Sequence, residues 1–330
     1  MAVTANTNET YDVSTIREDL SEAMASITPT ETLLMSSIGT RNVDNTFFEW
    51  SEVDLAATGA NRQIEGDVGL SNTAPTNAVR KGGYTQISAK VVEVSSTNQA
   101  VNGVANAQTV AKQVAYKLSE LKRDMEAMLL SNVAANAGAS GTARATAGLP
   151  AYLTSNVSRG GSGANGTTSG SGESGFVNAA ATDGTLRPIT EALLKGVIAD
   201  CWNAGATPKV VMCGSAQKQK ISTFTGNATR YKEAEDSKLN AAIDVYISDF
   251  GEVQIVPNRH MRVRTVSSVD YTPDVLVLDP SYAEVAYLQT AKQEPLAKTG
   301  LSERRLISCE YGLQVTSQKA HGIVADINAS

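Results

Sequence analysis

Cysteine and histidine are scarce, with three Cys and two His in 330 residues. Cys201, Cys213 and Cys309 form no CxxC and leave an odd count, which argues against a secreted disulfide framework and for buried, reduced thiols in a reducing compartment. His260 and His321 stand in no HExxH and at no ligand spacing from the cysteines, so no metal centre is expected from them. No stretch approaches about 18 uninterrupted apolar residues, and the start MAVTANTNETYD lacks a basic then apolar leader, so neither a membrane span nor a signal peptide is expected. Without a leader, N-x-S/T triplets such as Asn165-Gly166-Thr167 carry no weight. GxxxxGK[ST] and a post-strand GxGxxG are also missing, which removes the sequence signs of a phosphate cradle. No internal period of roughly 20 to 50 residues supports a solenoid or a propeller.

What is present suits a folded chain. Hydrophobic residues make up 42% and charged residues 19%, enough for a core and too little charge for disorder. At roughly 150 residues per domain, the length allows two domains or one interleaved fold. Lys and Arg number 28 against 34 Asp and Glu, a net charge of −6, which disfavours general binding to nucleic acid or anionic membrane. The imbalance is local: residues 1–40 hold one basic residue, Arg17, against Glu9, Asp12, Glu18, Asp19, Glu22 and Glu31.

Thr15 to Glu18 reads as a capping box, followed by Ile16, Leu20, Met24 and Ile27 at helical spacing. Thr46–Val53 and Tyr84–Ser95 are rich in aromatic and β-branched residues and predict the two strands of an arm with a long exposed tip. A two-stranded arm is marginal alone, so it should lie on its own body or on a neighbour. Apolar residues at Val110, Val114, Leu118, Leu121, Met125 and Leu129 predict a helix over 104–136, a rod of about 50 Å. Arg159–Gly175 has 7 Gly in 17 residues and predicts a flexible, exposed insertion. Beyond it, a helix over 186–204, with Thr185 or Asp183 near its start, alternates with apolar runs at 209–213, 253–256 and 275–278 and a short helical stretch at 215–223. Residues 302–327 predict further strands.

Candidate chemistry is thin. Ser215-Ala216-Gln217-Lys218 with Lys298-Thr299-Gly300 matches the SxxK and KTG elements of serine acyl-transferases. However, SxxK recurs at Ser119–Lys122, and Ser248-Asp249-Phe250 replaces SDN, so chance explains the match. Arg259, His260, Arg262 and Arg264 form a basic patch whose functional use would be a phosphate or acidic-partner contact; a solvated face or intersubunit ion pairs account for it more simply. Trp50 and Trp202 suit packing anchors, and Trp50, on the arm, also suits an interface anchor.

A colinear set of segments then resembles a known family. The set is ITPTETLLMSSIG (27–39), NTFFEW (45–50), YTQISAKVVEVSSTNQAV (84–101), ELKRDMEAMLLSN (120–132), GLPAYLTSN (148–156), VLVLDPSYAEVAYL (275–288), LAKTG (296–300) and ISCEYGLQV running on to KAHGIV (307–324). Together they resemble the major capsid proteins of tailed bacteriophages with the Hong Kong 97-like fold, closest to the podovirus-type major head proteins.

The resemblance implies an α+β fold with an N-terminal arm (1–40), an extended hairpin loop (41–99), a peripheral domain with a spine helix (100–157), the glycine-rich insertion (158–184), an axial α/β domain (185–290) and C-terminal strands returning to the peripheral domain (291–330). It implies self-assembly into hexamers and pentamers, an icosahedral head around double-stranded DNA, and assembly in the bacterial cytoplasm. Partners would include a portal, cement proteins and a separate scaffolding protein, with no sequence-specific DNA binding and no membrane. No catalytic residue, cofactor or metal is needed. Phe47, Trp50, Tyr84, Ile87, Arg259, Arg262 and Arg264 are the candidate intersubunit contacts. Lys81 and Lys90 raise the question of covalent crosslinking, for which no partner Asn and carboxylate can be matched; a non-covalent shell is expected. The acidic arm is expected to face the lumen, where it would keep DNA contacts weak. An encapsulin-like shell, a surface adhesin and an acylating enzyme are the alternatives.

Overall fold

The computed structural model describes residues 27–62, 65–66, 74–101, 109–171, 174–224 and 245–328. The expected helix following Thr15, and most of the acidic arm with it, lies outside the described residues. In chain order the first half contains α1 (Leu33–Ser37), β1 (Gly39–Asn42), β2 (Phe47–Glu52), β3 (Val79–Tyr84), β4 (Gln86–Ser95), α2 (Ser96–Ala100), α3 (Val110–Leu129) and α4 (Leu149–Tyr152). Then come β5 (Val157–Ser158), β6 (Thr167–Thr168), β7 (Val177–Ala179), α5 (Glu191–Asn203), β8 (Val210–Cys213) and α6 (Ser215–Ile221). The remainder is β9 (Val245–Ser248), β10 (Gly251–Pro257), β11 (Arg264–Val266), β12 (Val269–Tyr271), β13 (Val275–Leu278), β14 (Ala283–Pro295), β15 (Ser302–Val315) and β16 (Gly322–Val324).

Two sheets organise these elements. A four-stranded sheet runs β1-β14-β15-β4, with α3 packed against β4 and β15. Leu121, Met125 and Leu129 of the helix bury with Val92, Val94, Ile307 and Cys309 of the strands. A six-stranded sheet runs β5-β16-β13-β8-β10-β9. One of its faces joins Leu194, Val197 and Ile198 of α5 in a second core, while Met212, Leu276 and Ile323 point into the first. Covered on both sides, β13 is a continuous apolar run, Val-Leu-Val-Leu, with every residue buried.

Several expectations change. Strand β2 pairs with β3, Phe47 opposite Tyr84 and Glu52 opposite Val79; of the expected strand 84–95 only Tyr84 faces β2, and residues 86–95 form β4 and pair with β15. One extended run thus serves two sheets, switching at the buried Thr85, whose Oγ1 donates to Glu310 at 2.7 Å. The segment VRKGGY is a poor strand by propensity. Its glycines make room for aromatic rings: a Cβ at Gly83 would lie 2.9 Å from Phe48 Cζ.

The spine helix is 20 residues, about 30 Å, instead of about 50 Å. It stops because Asn132 turns its amide onto the backbone of Ala181, donating to its carbonyl at 2.7 Å and accepting from its N–H at 3.0 Å. The glycine-rich segment is exposed over most of its described residues from 161 to 171, as expected, but it is pinned to the body. Gly160 and Gly184 donate their N–H groups to the buried Asp326 carboxylate at 3.0 and 2.8 Å, and a Cβ at Gly166 would sit 2.5 Å from the Ala151 carbonyl. Gly175 bridges to Lys81, adding the end of the segment to the hairpin base. Helix α5 begins at Glu191, with Thr190 Oγ1 accepting from Leu193 N, because residue 187 is occupied in a bridge to Ile327. Residues 291–330 do not return as one unit: β15 completes the four-stranded sheet, whereas β16 enters the six-stranded one.

Candidate assembly surfaces

The hairpin aromatics close on each other within the chain. Phe47 and Tyr84 ring centroids are 4.8 Å apart, and Phe176, contributed by the glycine-rich segment, meets Tyr84 edge-on at 5.1 Å. Phe48 stacks with Trp50 at 5.9 Å. Phe48 fills a slot between Gly83 and Gly312, where a Cβ would come within 2.9 and 2.7 Å of its ring. Three of the four hairpin candidates, Phe47, Trp50 and Tyr84, are therefore engaged in intrachain packing; Trp50 is only 8% exposed. Ile87 alone stays open, at 60% exposure. Phe176 is not recognisable from sequence, since it sits alone beside a glycine run.

The arginine patch is likewise engaged within the chain. Arg262 donates to Asp274 through Nε (2.7 Å) and Nη2 (3.1 Å), and to Asp183 through Nη1 (2.8 Å). Arg264 donates through Nη1 to Asp326 (3.0 Å) and to the Gly184 carbonyl (2.9 Å). Burial works to lower the Arg262 guanidinium, but Asp274 and Asp183 outweigh it and hold it raised. Burial lifts the Asp274 carboxyl above its ordinary range against the pull of Arg262. Arg259 is exposed and makes no ion pair among the described residues. Asp183 and Asp326 lie far from the arginines in sequence and Asp274 lies 12 residues from Arg262, and no spacing announces any of them.

One buried carboxylate joins three parts of the chain. Glu126 of α3 accepts from Leu34 N at 2.6 Å, Met35 N at 3.0 Å and Asn258 Nδ2 at 2.8 Å. It holds α1, the spine helix and the loop after β10 together. Lys81 pairs with Glu52 at 2.5 Å, and Lys90 with Asp124 at 2.7 Å and Glu120 at 3.3 Å.

The SxxK and KTG elements are separated, Ser215 opening α6 beside the six-stranded sheet and Lys298 lying between β14 and β15. Lys218 Nζ donates to the Ile255 carbonyl at 3.0 Å. All three cysteines are buried and unpaired, burial pushing the Cys201 and Cys213 thiols up to about 12 and Cys309 to about 11. No helix of the described residues is long and apolar enough to cross a membrane.

What remains open at the surface differs from side to side. The four-stranded sheet turns Lys90, Val92 and Val94 towards α3, so the pleat turns Ile87, Ala89 and Val91 the other way, with Leu306 opposite Val91. Every described residue from Val53 to Ala78, the hairpin tip, is exposed, with Leu55 at 85%. The outer side of α3 carries Lys112, Lys122 and the half-exposed Arg123 beside the exposed Tyr116.

Comparison with known proteins accounts for this geometry. The chain is 24% identical over 351 residues to the major capsid protein of Escherichia phage Phieco32, covering 95% of each. Its fold is similar to a solved structure from Microbacterium phage Oxtober96 (TM-score 0.60, 10% identity, 94% of this chain and 96% of that one). It is also similar to the capsid of a native GTA particle (TM-score 0.61, 14% identity, 96% and 97%). The holo-SrpI encapsulin complex of Synechococcus elongatus PCC 7942 shares the fold more distantly, at TM-score 0.52 and 12% identity over 96% and 94%. These neighbours share the Hong Kong 97-like fold. The model of the SU10 major capsid protein family matches residues 3–328, and the chain belongs to that family of phage proteins that form the virion capsid shell.

Proposed function

We propose that this capsid protein assembles in the bacterial cytoplasm into hexamers and pentamers that close around double-stranded DNA, with the hairpin tip reaching over the neighbouring subunit. The observation that carries the reading is the tip itself, exposed at every described position from 53 to 78 with Val53 and Leu55 uncovered. An extension that leaves two large apolar side chains uncovered, with Asp54 at its base paired to Lys319, fits a surface on another molecule. The strip formed by Ile87, Val91 and Leu306 supplies one of matching character. Each subunit would then make heterologous, head-to-tail contacts, the type that closes into rings. Standard interfaces bury about 1,600 Å² in total, and several per subunit hold a shell by multivalency.

In this reading 41–99 is the hairpin loop, 100–157 the peripheral domain and 185–290 the axial domain. Portal, cement and scaffolding proteins are separate partners, and the shell is non-covalent. Arg259, exposed and without an ion pair among the described residues, remains an intersubunit candidate, whereas Arg262 and Arg264 act within the subunit. Electron microscopy of the full-length protein, with light scattering on the same sample, tests the reading. Closed shells or six-fold and five-fold rings are the expected result, and Leu55→Asp with Ile87→Asp should abolish them while leaving a folded subunit. A persistent monomer across concentration and salt would overturn it.

A further inference from the structure

The six-stranded sheet leaves unlike groups open at the two ends of β10. At its start, Trp202 of α5 is 51% exposed and meets Phe250, in the turn between β9 and β10, with ring centroids 5.1 Å apart. Phe250 packs on the second core, so the pair is anchored on one side and uncovered on the other. Strand β9 is the outermost of the sheet, and Val245 and Ile247 stand exposed on it, opposite Gln254 and Glu252. Asp249, next to Phe250, is exposed and makes no ion pair among the described residues. The cations at this end are Lys195, held by Glu191 at 2.9 Å with Asp249 adding to its field from farther off, and Lys209 beside Gln254. Asp200 lies on the far side of α5 from Trp202. With Glu191, Asp200, Asp249 and Glu252 against Lys195 and Lys209, this end is acidic.

At the close of β10 the sign reverses. Asn258 N donates to the Cys213 carbonyl at 2.9 Å, which sets the next residue, Arg259, just beyond the ends of β8 and β10. Arg259 is exposed and makes no ion pair among the described residues, whereas Arg262 and Arg264 are engaged by Asp183, Asp274 and Asp326. Asp270 is the exposed carboxylate of the β11–β12 hairpin and accepts from Thr265 Oγ1 at 2.6 Å. Helix α6, which opens from this end, adds Lys218 and Lys220, the first with Nζ on the Ile255 carbonyl. Val263 and Val269, in the loop and hairpin after Arg259, are 57% and 49% exposed. The seven residues of β10 hold the two ends about 23 Å apart.

We infer that Trp202, Phe250 and Asp249 of one subunit receive Arg259 and Val263 of the next, in a head-to-tail contact between six-stranded sheets. The inference rests on the proposed reading that copies of the chain close into rings, and it names a second pair of meeting surfaces besides the hairpin tip. Patches at opposite ends of one strand cannot meet within a subunit, so their complementarity is usable only between copies, and repetition of such a contact closes a ring. The half-open indole beside a phenyl ring is the anchor, and a guanidinium can lie flat on it while reaching a carboxylate. Charge also rejects the symmetric alternatives. Docking the acidic end on itself sets Asp249 against Asp249, and docking the basic end on itself sets Arg259 against Arg259, so only the unlike ends attract.

The test uses the full-length protein. Asp249→Arg and Arg259→Asp each bring like charges together and should raise the concentration needed for assembly by about tenfold or more, in subunits whose unfolding is unchanged. Mixed in equal amounts, the two variants should assemble again, because every contact between unlike variants regains opposite charges. Alternation closes only even-numbered rings, so six-fold rings return and five-fold rings do not. Trp202→Ala should raise the concentration by about thirtyfold. Trp50 is 8% exposed, so acrylamide quenching reports mainly on Trp202 and should fall on assembly. Assembly of either charge variant at the wild-type concentration, or a mixture no better than its parts, overturns the inference. So does quenching that assembly leaves unchanged, because the patch is then left for a different protein. Arg259→Lys keeps the cation, and a carbodiimide then couples it to Asp249 through an amide, a link that the length of β10 forbids within one chain. Amide-linked dimers without rings or shells strike the proposed function and leave this contact standing. Rings or shells without the link overturn the contact and leave the proposed function standing.

Discussion

Phe47, Tyr84 and Phe176 tie the glycine-rich segment to the hairpin through apolar contact, whereas Arg262 and Arg264 tie the ends of the same segment to the six-stranded sheet through Asp183, Asp274 and Asp326. The aromatic joint is non-directional, so it tolerates rearrangement as long as volume is kept. The ionic joint is directional and buried, and each charge depends on its partner. A segment that looks like a loose linker is therefore fixed at both ends by unlike means.

The sharpest way to break the comparison is Arg262→Ala. It strands the buried Asp274 carboxylate, and loss of one partner of a buried pair costs about 3–5 kcal/mol, read by denaturant unfolding of the subunit. Replacing the pair together, Arg262→Met with Asp274→Leu, should cost much less, because no unpaired charge remains. If the single and double changes destabilise equally, charge pairing is not what holds this joint. Phe48→Ala is the corresponding change in the hairpin's other aromatic contact, the slot between Gly83 and Gly312. Removing a buried ring costs about 3–4 kcal/mol, and Phe48→Leu, which keeps much of the volume, should recover most of it.

The parts legible in sequence follow from this contrast. The run Val275–Leu278 was readable as a buried strand because four apolar residues in a row admit few other uses, and the centre of α3 was readable from its apolar stripe. The resemblance of the colinear segments carried the fold class and the capsid function. The ends of α3, the pairing of β2 with β3 and the packing of residues 160–184 were not legible. They depend on single long-range contacts, Asn132 on Ala181, Phe48 against Gly83, Gly160 on Asp326, none of which leaves a period or a spacing. The nominated arginines stand out in the sequence as a local run of cations, but a count of charges could not say that the partners of Arg262 and Arg264 lay in the same chain.

Acid sharpens the comparison further, because the signs oppose the obvious guess. Burial raises the Asp274 carboxyl, so its contribution to stability is full below the ordinary carboxylate range and declines as pH rises; acid neutralises this carboxylate earlier than a free one without costing the fold stability through it. His321 behaves in the opposite sense. It lies where the chain crosses from β15 to β16, its Nδ1 accepting from Asp279 N at 3.4 Å, and burial pushes it down to about 4. The unfolded chain therefore takes up the proton first, and stability is lost as pH falls from about 6.5 to about 4, by roughly 3 kcal/mol. Thermal melts across that range should show the loss in the wild type. His321→Asn, which keeps an acceptor without titrating, should remove the pH-dependent part; an equally steep loss in that variant would return the acid sensitivity to the carboxylates.

The smallest effect concerns the slot around Phe48. Gly312→Ala puts a methyl within 2.7 Å of the ring, closer than carbon atoms approach, so the ring or strand β15 must shift, at a cost of about 1–3 kcal/mol. The same methyl placed beside a smaller side chain has room. Gly312→Ala combined with Phe48→Leu should therefore be more stable than the sum of the two separate costs, a favourable coupling of about 1 kcal/mol between residues in contact. Additive costs would mean that the strand, and not the ring, absorbs the clash, and that the slot around Phe48 is rigid. Coupling would show that volume specifies this slot, in contrast to the arginine joint, where no change of volume can replace a missing charge.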